Sequence, residues 1–482
     1  MPGVRVAREE ILNGPIIRTM VRLGWPGMVM GLLQTLYNLA DAFWIGHLPP
    51  EESGPSVAAI QISWPVVWLL ISFIAGYSGA AGSALISQYT GAKRSEEANL
   101  ACGQIFSLSF LSGLLIGATG FLLSPYILPL LVRAGEVTEI AIVYIRIIFL
   151  GMPFLFTPYL FYFTLAAYGD TVTPMLVNGA GVLLNITLDP FLIFGLGPLP
   201  KLGVFGAALA TVIAQGFASI AALTILFRRR RGLKLSLPAL RLRLSWVKKI
   251  LRIGVPAAVG QSGTALGFVL LMAIIGRVPN PTVALAAYGI GDRIFSLLFI
   301  AVEGLGVGLM TILGQSLGAE LPKRAGEVVR KGTMTMFLIL VVEAAVIWLA
   351  RRPLMEFFIP GREDVIAEGV RFITVFVAAM PFFGVFAAVN SIFRGSGHNV
   401  PTMILEIARL WALRLPLSYL FAFPLGFGST GVWVGMAISN FLSALMAVAL
   451  LSTGIWKRKV IEKAPAASGD ESLACPESQG ME

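Results

Sequence analysis

The sequence predicts an all-α membrane protein: twelve transmembrane helices in two pseudo-symmetric six-helix lobes around a central cleft. Three observations lead there. The 482 residues are 56% hydrophobic and only 13% charged, with a mean hydropathy of +0.82; soluble domains carry about 25% charged residues. Apolar stretches that reach the ~20 residues needed to cross a bilayer recur from end to end. The second half also repeats the first at a spacing of about 228 residues, an internal symmetry found in many polytopic membrane proteins.

The apolar stretches set the elements. The first half supplies spans near 17–46, 55–86, 98–124, 137–168, 172–195 and 201–227. The second supplies spans near 248–276, 282–313, 326–350, 364–394, 399–424 and 429–455. Residues 1–230 and 248–456 therefore form the lobes, and 231–247 link them. Residues 457–482 turn polar, a composition that predicts a disordered tail. Several spans exceed the bilayer thickness, so they must tilt or kink. Pro26, Pro65, Pro153, Pro158, Pro381 and Pro416 lie inside spans, where neighbouring helices can satisfy the freed backbone.

The charge of +10 does not describe a nucleic-acid binder, because the basic residues sit in short gaps between apolar spans. Sorting Lys and Arg by alternate gaps gives about 25 on the side of the termini and about 6 on the other. Both termini are thus expected in the cytoplasm, in a multi-pass plasma-membrane protein with lipids as its surroundings. The N-terminal stretch has no apolar region followed by a small-residue cleavage site, so no cleaved leader is expected. Cys102 and Cys475 form no disulfide or metal pattern. The GxxxxGK[ST] phosphate loop is absent, and GLGVGLM falls inside the eighth span, so neither ATP nor a dinucleotide is expected as drive or cofactor. Nothing marks an enzyme.

The repeat pairs specific segments. LGWP at Leu23–Pro26 answers IGVP at Ile253–Pro256, and ISQYTGAKRSEEA at Ile86–Ala98 answers LGQSLGAELPKRA at Leu313–Ala325. Pro153 answers Pro381, YGDTV at 168–172 answers GSGHNV at 395–400, and GVFGAA at 203–208 answers GVWVGMA at 431–437. Six is even, so both copies point the same way and relate by an axis along the membrane normal.

Ionisable groups in hydrocarbon cost at least ~2.5 kcal/mol on insertion scales, so each needs a reason. Asp41, in LYNLADAFWIG, and Asp189, in LLNITLDPFLIFG, stand at similar depth near the outer ends of the first and fifth spans. Tyr37 with Asp41, and Asn185 with Asp189, are spaced i,i+4 and share a helix face. Asn38 stands i,i+3 to Asp41, and Tyr144 and Thr211 reach comparable depths from the fourth and sixth spans. These oxygens suit a proton or a hard cation such as Na⁺, for which Asp41, Asp189, Asn185 and Thr211 would be the ligands. The alternative is that each satisfies its own local backbone. In the second half, Asp292 with Arg293, and Glu406 with Arg409 and Arg414, are expected to neutralise one another, while Glu303 and Glu343 have no evident partner. Arg146 and Arg371 occupy equivalent places. Asn38, Trp64, Trp68, Tyr159, Phe163 and Gln261 are candidates for the wall of the cleft.

Together YNLADAFWIG, SQYTGAKRSEEA, AAYGDTVTPM, NITLDPFLIFG and GVFGAALAT, in this order, resemble the multidrug and toxic compound extrusion (MATE) transporters over nearly the whole chain. The first-half pattern is similar to the archaeal and DNA-damage-inducible branch. That resemblance implies a cation site in the first lobe, at Tyr37, Asp41, Tyr144, Asn185, Asp189 and Thr211. Another branch carries an acid eight residues after the seventh-span proline, but here that position is Thr264. The implied function is a monomeric secondary exporter that exchanges H⁺ or Na⁺ against amphipathic or cationic small molecules by alternating access. The alternatives are a lipid-linked saccharide flippase of the same superfamily, which would need a cationic cavity, and an uncoupled membrane protein.

Overall fold

The computed structural model describes residues 5–131, 135–197, 200–229 and 232–462, without the side chains at 50, 64, 75, 130 and 131. Among these residues there is no strand. The predicted spans appear in order: α1 (Ile16–Gly46), α2 (Pro50–Gly91), α3 (Ser95–Leu131), α4 (Glu136–Leu150 with Met152–Tyr168), α5 (Val172–Phe194) and α6 (Val204–Arg228). The second half continues with α7 (Leu244–Ile275), α8 (Pro281–Gly318), α9 (Pro322–Phe358), α10 (Glu363–Val377 with Met380–Ser396), α11 (Asn399–Ile407, a π-helical stretch Ala408–Arg414, Leu415–Ala422) and α12 (Gly428–Ser452).

The repeat is visible in the backbone. The two segments of α4 meet at 53° and those of α10 at 52°. Both bends fall just before the paired Pro153 and Pro381, whose rings cannot continue the hydrogen-bond ladder behind them. Left-handed residues also recur in register: Gly169 and Gly397 after α4 and α10, Lys93 and Glu320 after α2 and α8.

Each lobe has its own core. Ile74, Leu85, Ile105, Phe156, Phe161 and Leu226 belong to the first. Phe295, Phe372, Phe393 and Trp433 belong to the second, where the Phe372 and Trp433 rings lie 4.4 Å apart. The lobes meet along α1–α8 and α2–α7. Contact is tight toward the end that carries both termini (the terminal end), opposite the loop end. At Gly24 a Cβ would come within 2.9 Å of the Gly304 carbonyl, so only glycine permits this backbone approach. Repeat-related glutamines then cross the boundary in both directions. Gln88 of α2 donates to the Ser396 carbonyl at 3.0 Å, and Gln315 of α8 donates to the Ala167 carbonyl at 3.0 Å. Thr311 of α8 adds a bond to the Ala166 carbonyl at 3.1 Å.

Two boundaries differ from expectation. The linker is shorter than 231–247: α7 starts at Leu244, because the basic turn with Lys248 and Lys249 stays helical outside the apolar span and Trp246 packs near Tyr89, 5.9 Å between rings. The linker is also fastened to α3. Gln104 donates to the Ala239 and Arg241 carbonyls at 2.8 and 2.7 Å and accepts from the Arg243 amide at 2.8 Å. Residues 457–462, placed by composition in the disordered tail, are instead packed, with Ile461 5% exposed. The remainder of that tail, 463–482, lies outside the described residues.

Candidate functional site

Four helices of the first lobe converge near the loop end, and each presents the oxygens that the sequence singled out. On α1, Tyr37 is buried and its hydroxyl lies 2.5 Å from Thr211 Oγ1 of α6. On α5, Asn185 and Asp189 are both fully buried, and Asn185 Nδ2 donates to Asp189 Oδ1 at 3.4 Å. This is the i,i+4 pair that one helix face dictates. Asp41 of α1 lies near enough to Asp189 for the two carboxyls to act on each other electrostatically. Tyr144 of α4, also buried, lies where both carboxyls act on it electrostatically. Asp41, Asp189, Asn185, Tyr37, Tyr144 and Thr211 thus form one cluster.

The cluster is short of donors. Asp41 Oδ1, Asp189 Oδ2 and Asn185 Oδ1 are buried with no hydrogen-bond partner. A buried oxygen left without a partner costs about 1–3 kcal/mol, more for a charged group. No Lys or Arg forms an ion pair with either carboxylate among the described residues. Among these residues no group of three or more His, Cys, Asp or Glu gathers either. The donor set is therefore two carboxyls, an amide and hydroxyls, which suits a proton or an alkali cation better than a transition metal.

The cleft candidates lie on α1, α2, α4 and α7. Asn38 turns to the exposed side of α1 and accepts from Gln34 Nε2 at 3.3 Å, so it does not join Asp41. Tyr159 and Phe163 are half-buried on α4. Trp68 is exposed on α2, while the Trp64 side chain lies outside the described residues. Gln261 of α7 sits at the lobe junction. With its amide oriented by its neighbours, it donates to the Ser72 carbonyl at 3.1 Å and accepts from Arg394 at 3.0 Å.

The second lobe corrects the expected charge pairs. Asp292 and Arg293 make no ion pair with each other among the described residues, since adjacent helical residues point about 100° apart. Glu406 pairs not with Arg409 but with Arg394 of α10, at 2.7 Å. The π-helical stretch begins at Ala408 and changes the direction in which Arg409 and Arg414 face. Arg409 lies over Phe386, 4.9 Å from the ring centre, and Arg414 donates to Ser439 Oγ and Asn440 Oδ1 at 3.0 and 2.6 Å. Arg371 reaches Glu368 at 3.3 Å, whereas Arg146 donates to the Phe121 carbonyl at 3.2 Å, so the equivalent arginines do not share a partner. Glu343 Oε2 remains without a partner. Glu303 of α8 is exposed yet stands electrostatically close to Tyr159, Tyr162 and Arg394, so it lines the space between the lobes.

Fold and cluster are those of a polytopic helical membrane protein with a buried acidic pair. The family profile described as MatE matches residues 26–191 and again 256–420, in step with the internal repeat, and the chain belongs to the MatE family of transporters. It is 28% identical to the "Probable multidrug resistance protein NorM" of Thermotoga maritima, over 94% of this chain and 96% of that protein. It is also 28% identical to the "FAD transporter" of Shewanella oneidensis, over 91% of this chain and 95% of that one. Among solved structures, a MATE transporter crystallised in the bent conformation superposes with a TM-score of 0.85 at 25% identity, covering 93% of this chain and 98% of the other.

Proposed function

We propose that the protein is a multidrug exporter of the plasma membrane, with both termini cytoplasmic. It exchanges H⁺ or Na⁺ against amphipathic or cationic small molecules by alternating access. Relatives named for drug resistance or drug export support the cargo class. The observation that carries the coupling is the set of three buried acceptor oxygens without donors around Asp41 and Asp189. Two facing carboxyls cannot hydrogen-bond unless a proton lies between them, and a cation bridging them would satisfy the same oxygens.

The mechanism follows from that shortage. With the pair charged and empty, repulsion between Asp41 and Asp189 favours a looser packing of α1 against α5. A proton or Na⁺ removes the repulsion and lets α1 close. Pro26 sits in the middle of the α1 ladder, where a missing backbone bond gives the helix a place to bend. The bend would move the α1 wall and so eject cargo as the ion enters. The tight terminal end corresponds to an outward-facing state.

The test is transport of a fluorescent organic cation in proteoliposomes, with H⁺ and Na⁺ gradients imposed separately. One gradient should drive uptake against the cargo's own gradient, and Asp41→Asn should lose it. Equal transport with and without either gradient would exclude coupling. A flavin dinucleotide belongs in the same assay because of the Shewanella relative. That cargo would have to recruit Arg394 or Arg409, whose Nε atoms are buried and unpaired.

A further inference from the structure

The described segments before α1 and after α12 leave the lobe to which their helix belongs and pack into the other one. After α12 of the second lobe, Trp456 is buried in the second-lobe core and its Nε1 donates to the Leu451 carbonyl at 3.1 Å. Five residues later Ile461 is buried in the first-lobe core. In between, the Val460 amide donates to Gln88 Oε1 at 2.9 Å, while Gln88 Nε2 holds the end of α10. Val460 also packs on Gly397, where a Cβ would stand 2.8 Å from its Cγ2. Arg94 of the first lobe donates to the Glu462 carbonyl at 2.7 Å, and Lys459 pairs with Glu320 of the second.

The N-terminal segment does the same with the lobes exchanged. It leads into α1, yet Val6 and Ile11 are buried in the second-lobe core. The Val6 amide donates to the Gly169 carbonyl at 2.9 Å, and Gly169 is the repeat partner of Gly397. Arg8 donates to the Thr90 carbonyl at 3.1 Å in the first lobe. Arg324 of the second lobe donates to the Ile11 carbonyl at 3.2 Å. Each segment thus meets one of the paired glycines that follow α4 and α10 and bonds to both lobes.

We propose that residues 5–14 and 455–462 are a pair of crossed straps that latch the terminal end shut, and that both must detach before the cleft opens there. This rests on the alternating-access reading. Each strap ties both lobes to chain that belongs to neither bundle. Detaching a strap exposes an apolar side chain, Ile461 or Val6, and breaks bonds to Gln88 or Gly169. The straps thus set how often the terminal end opens, and with it the rate at which cargo can load.

The test uses the full chain with Cys102→Ser and Cys475→Ser, and Thr311→Cys as a reporter in the lobe boundary, where Thr311 is 2% exposed. Maleimide labelling of that cysteine reads the open population. Ile461→Glu and, separately, Val6→Glu should each speed labelling about tenfold, equivalent to about 1.4 kcal/mol. Labelling unchanged in both variants, with the protein still monodisperse and folded by circular dichroism, overturns the latch. A second arm joins the C-terminal strap to its seat with Gln88→Cys and Val460→Cys. The disulfide should stop transport, and reductant should restore it; full transport while oxidised also overturns the proposal. A loop-end disulfide between Ser56→Cys and Thr282→Cys provides the separation. If it arrests transport while the strap disulfide does not, alternating access stands and the latch alone fails. If neither arrests transport, the underlying reading fails as well.

Discussion

The two lobes share a fold down to a one-degree match in the bends of α4 and α10, yet their buried acids are partnered differently. In the second lobe Glu406 holds Arg394 at 2.7 Å and Glu368 accepts from Trp433 Nε1 at 2.7 Å, although Glu406 Oε2 and Glu343 Oε2 lack partners. In the first lobe, Asp41 and Asp189 lie together with no Lys or Arg paired to either among the described residues and with orphaned oxygens. A paired buried charge fixes a structure, because removing either partner leaves the other uncompensated. An unpaired acid pair is instead ready to take up something from outside. Duplication thus gave two equal frames, and the proposed cation site lies in the one whose facing acids have no ion-pair partner among the described residues.

The largest expected effect is at the heart of that contrast. Asp41→Asn keeps the shape of the side chain and removes its titration, so gradient-driven export should fall to the level of empty liposomes. Expression and thermal stability should be retained. Gradient-driven transport at the wild-type rate would place the coupling elsewhere. The mirror substitution in the second lobe should do the reverse. Glu406→Gln leaves Arg394 uncompensated in a buried setting and should cost about 3 kcal/mol of stability. The protein that does fold should still respond to the ion gradient. If Glu406→Gln abolished coupling at unchanged stability, the division of labour between the lobes would be wrong.

A smaller effect is expected at Asp189. Its partner would remain titratable, so Asp189→Asn should flatten the pH dependence of cargo affinity without abolishing binding. A wild-type pH profile in that variant would show that the carboxyls act independently.

Much of this was legible in the sequence. Twelve spans follow from apolar runs of bilayer length, and the paired Pro153 and Pro381 mark the places where α4 and α10 bend. The i,i+4 pairs Tyr37–Asp41 and Asn185–Asp189 put these oxygens on shared helix faces, and matching depth adds Tyr144 and Thr211, which the fold brings near them. The features hidden from the sequence were of two kinds. Long-range pairing escaped it: Glu406 had near candidates at i+3 and beyond, but the π-helical stretch and Arg394 on another helix decide its contact. Local polarity also misled. IWKRKVIE looks like the start of a solvated tail, but its apolar residues are spaced to bridge two cores, and no composition measure records where the other core lies. Asn38, spaced i,i+3 from Asp41, accepts from Gln34 on the exposed side of α1, a contact that spacing alone does not predict.

The smallest effect tests a pair of equivalent turns at the terminal end. In the first lobe, Asp170 follows Gly169. It accepts from the Thr173 amide and hydroxyl at 3.0 and 2.8 Å and pairs with Arg229. In the second lobe the same place is taken by His398, which follows Gly397 and has Ser396 Oγ 3.4 Å from its Nδ1. Burial holds the His398 imidazole below its ordinary range; the Ser396 backbone partly opposes this, and nearby Arg458 adds to it. The folded state then binds fewer protons than the unfolded one at pH values between the lowered constant and the ordinary ~6.5. Stability therefore rises with pH through that window and is lost as pH falls from about 6.5. Arg458 belongs to the C-terminal strap, so protonation of His398 also adds repulsion at the latch. Thermal unfolding between pH 7.5 and 5 should show a drop that His398→Gln lacks, while Asp170→Asn should keep it from a lower starting point. An equal drop in wild type and His398→Gln would assign the acid sensitivity to other groups and leave the turn without a role in it.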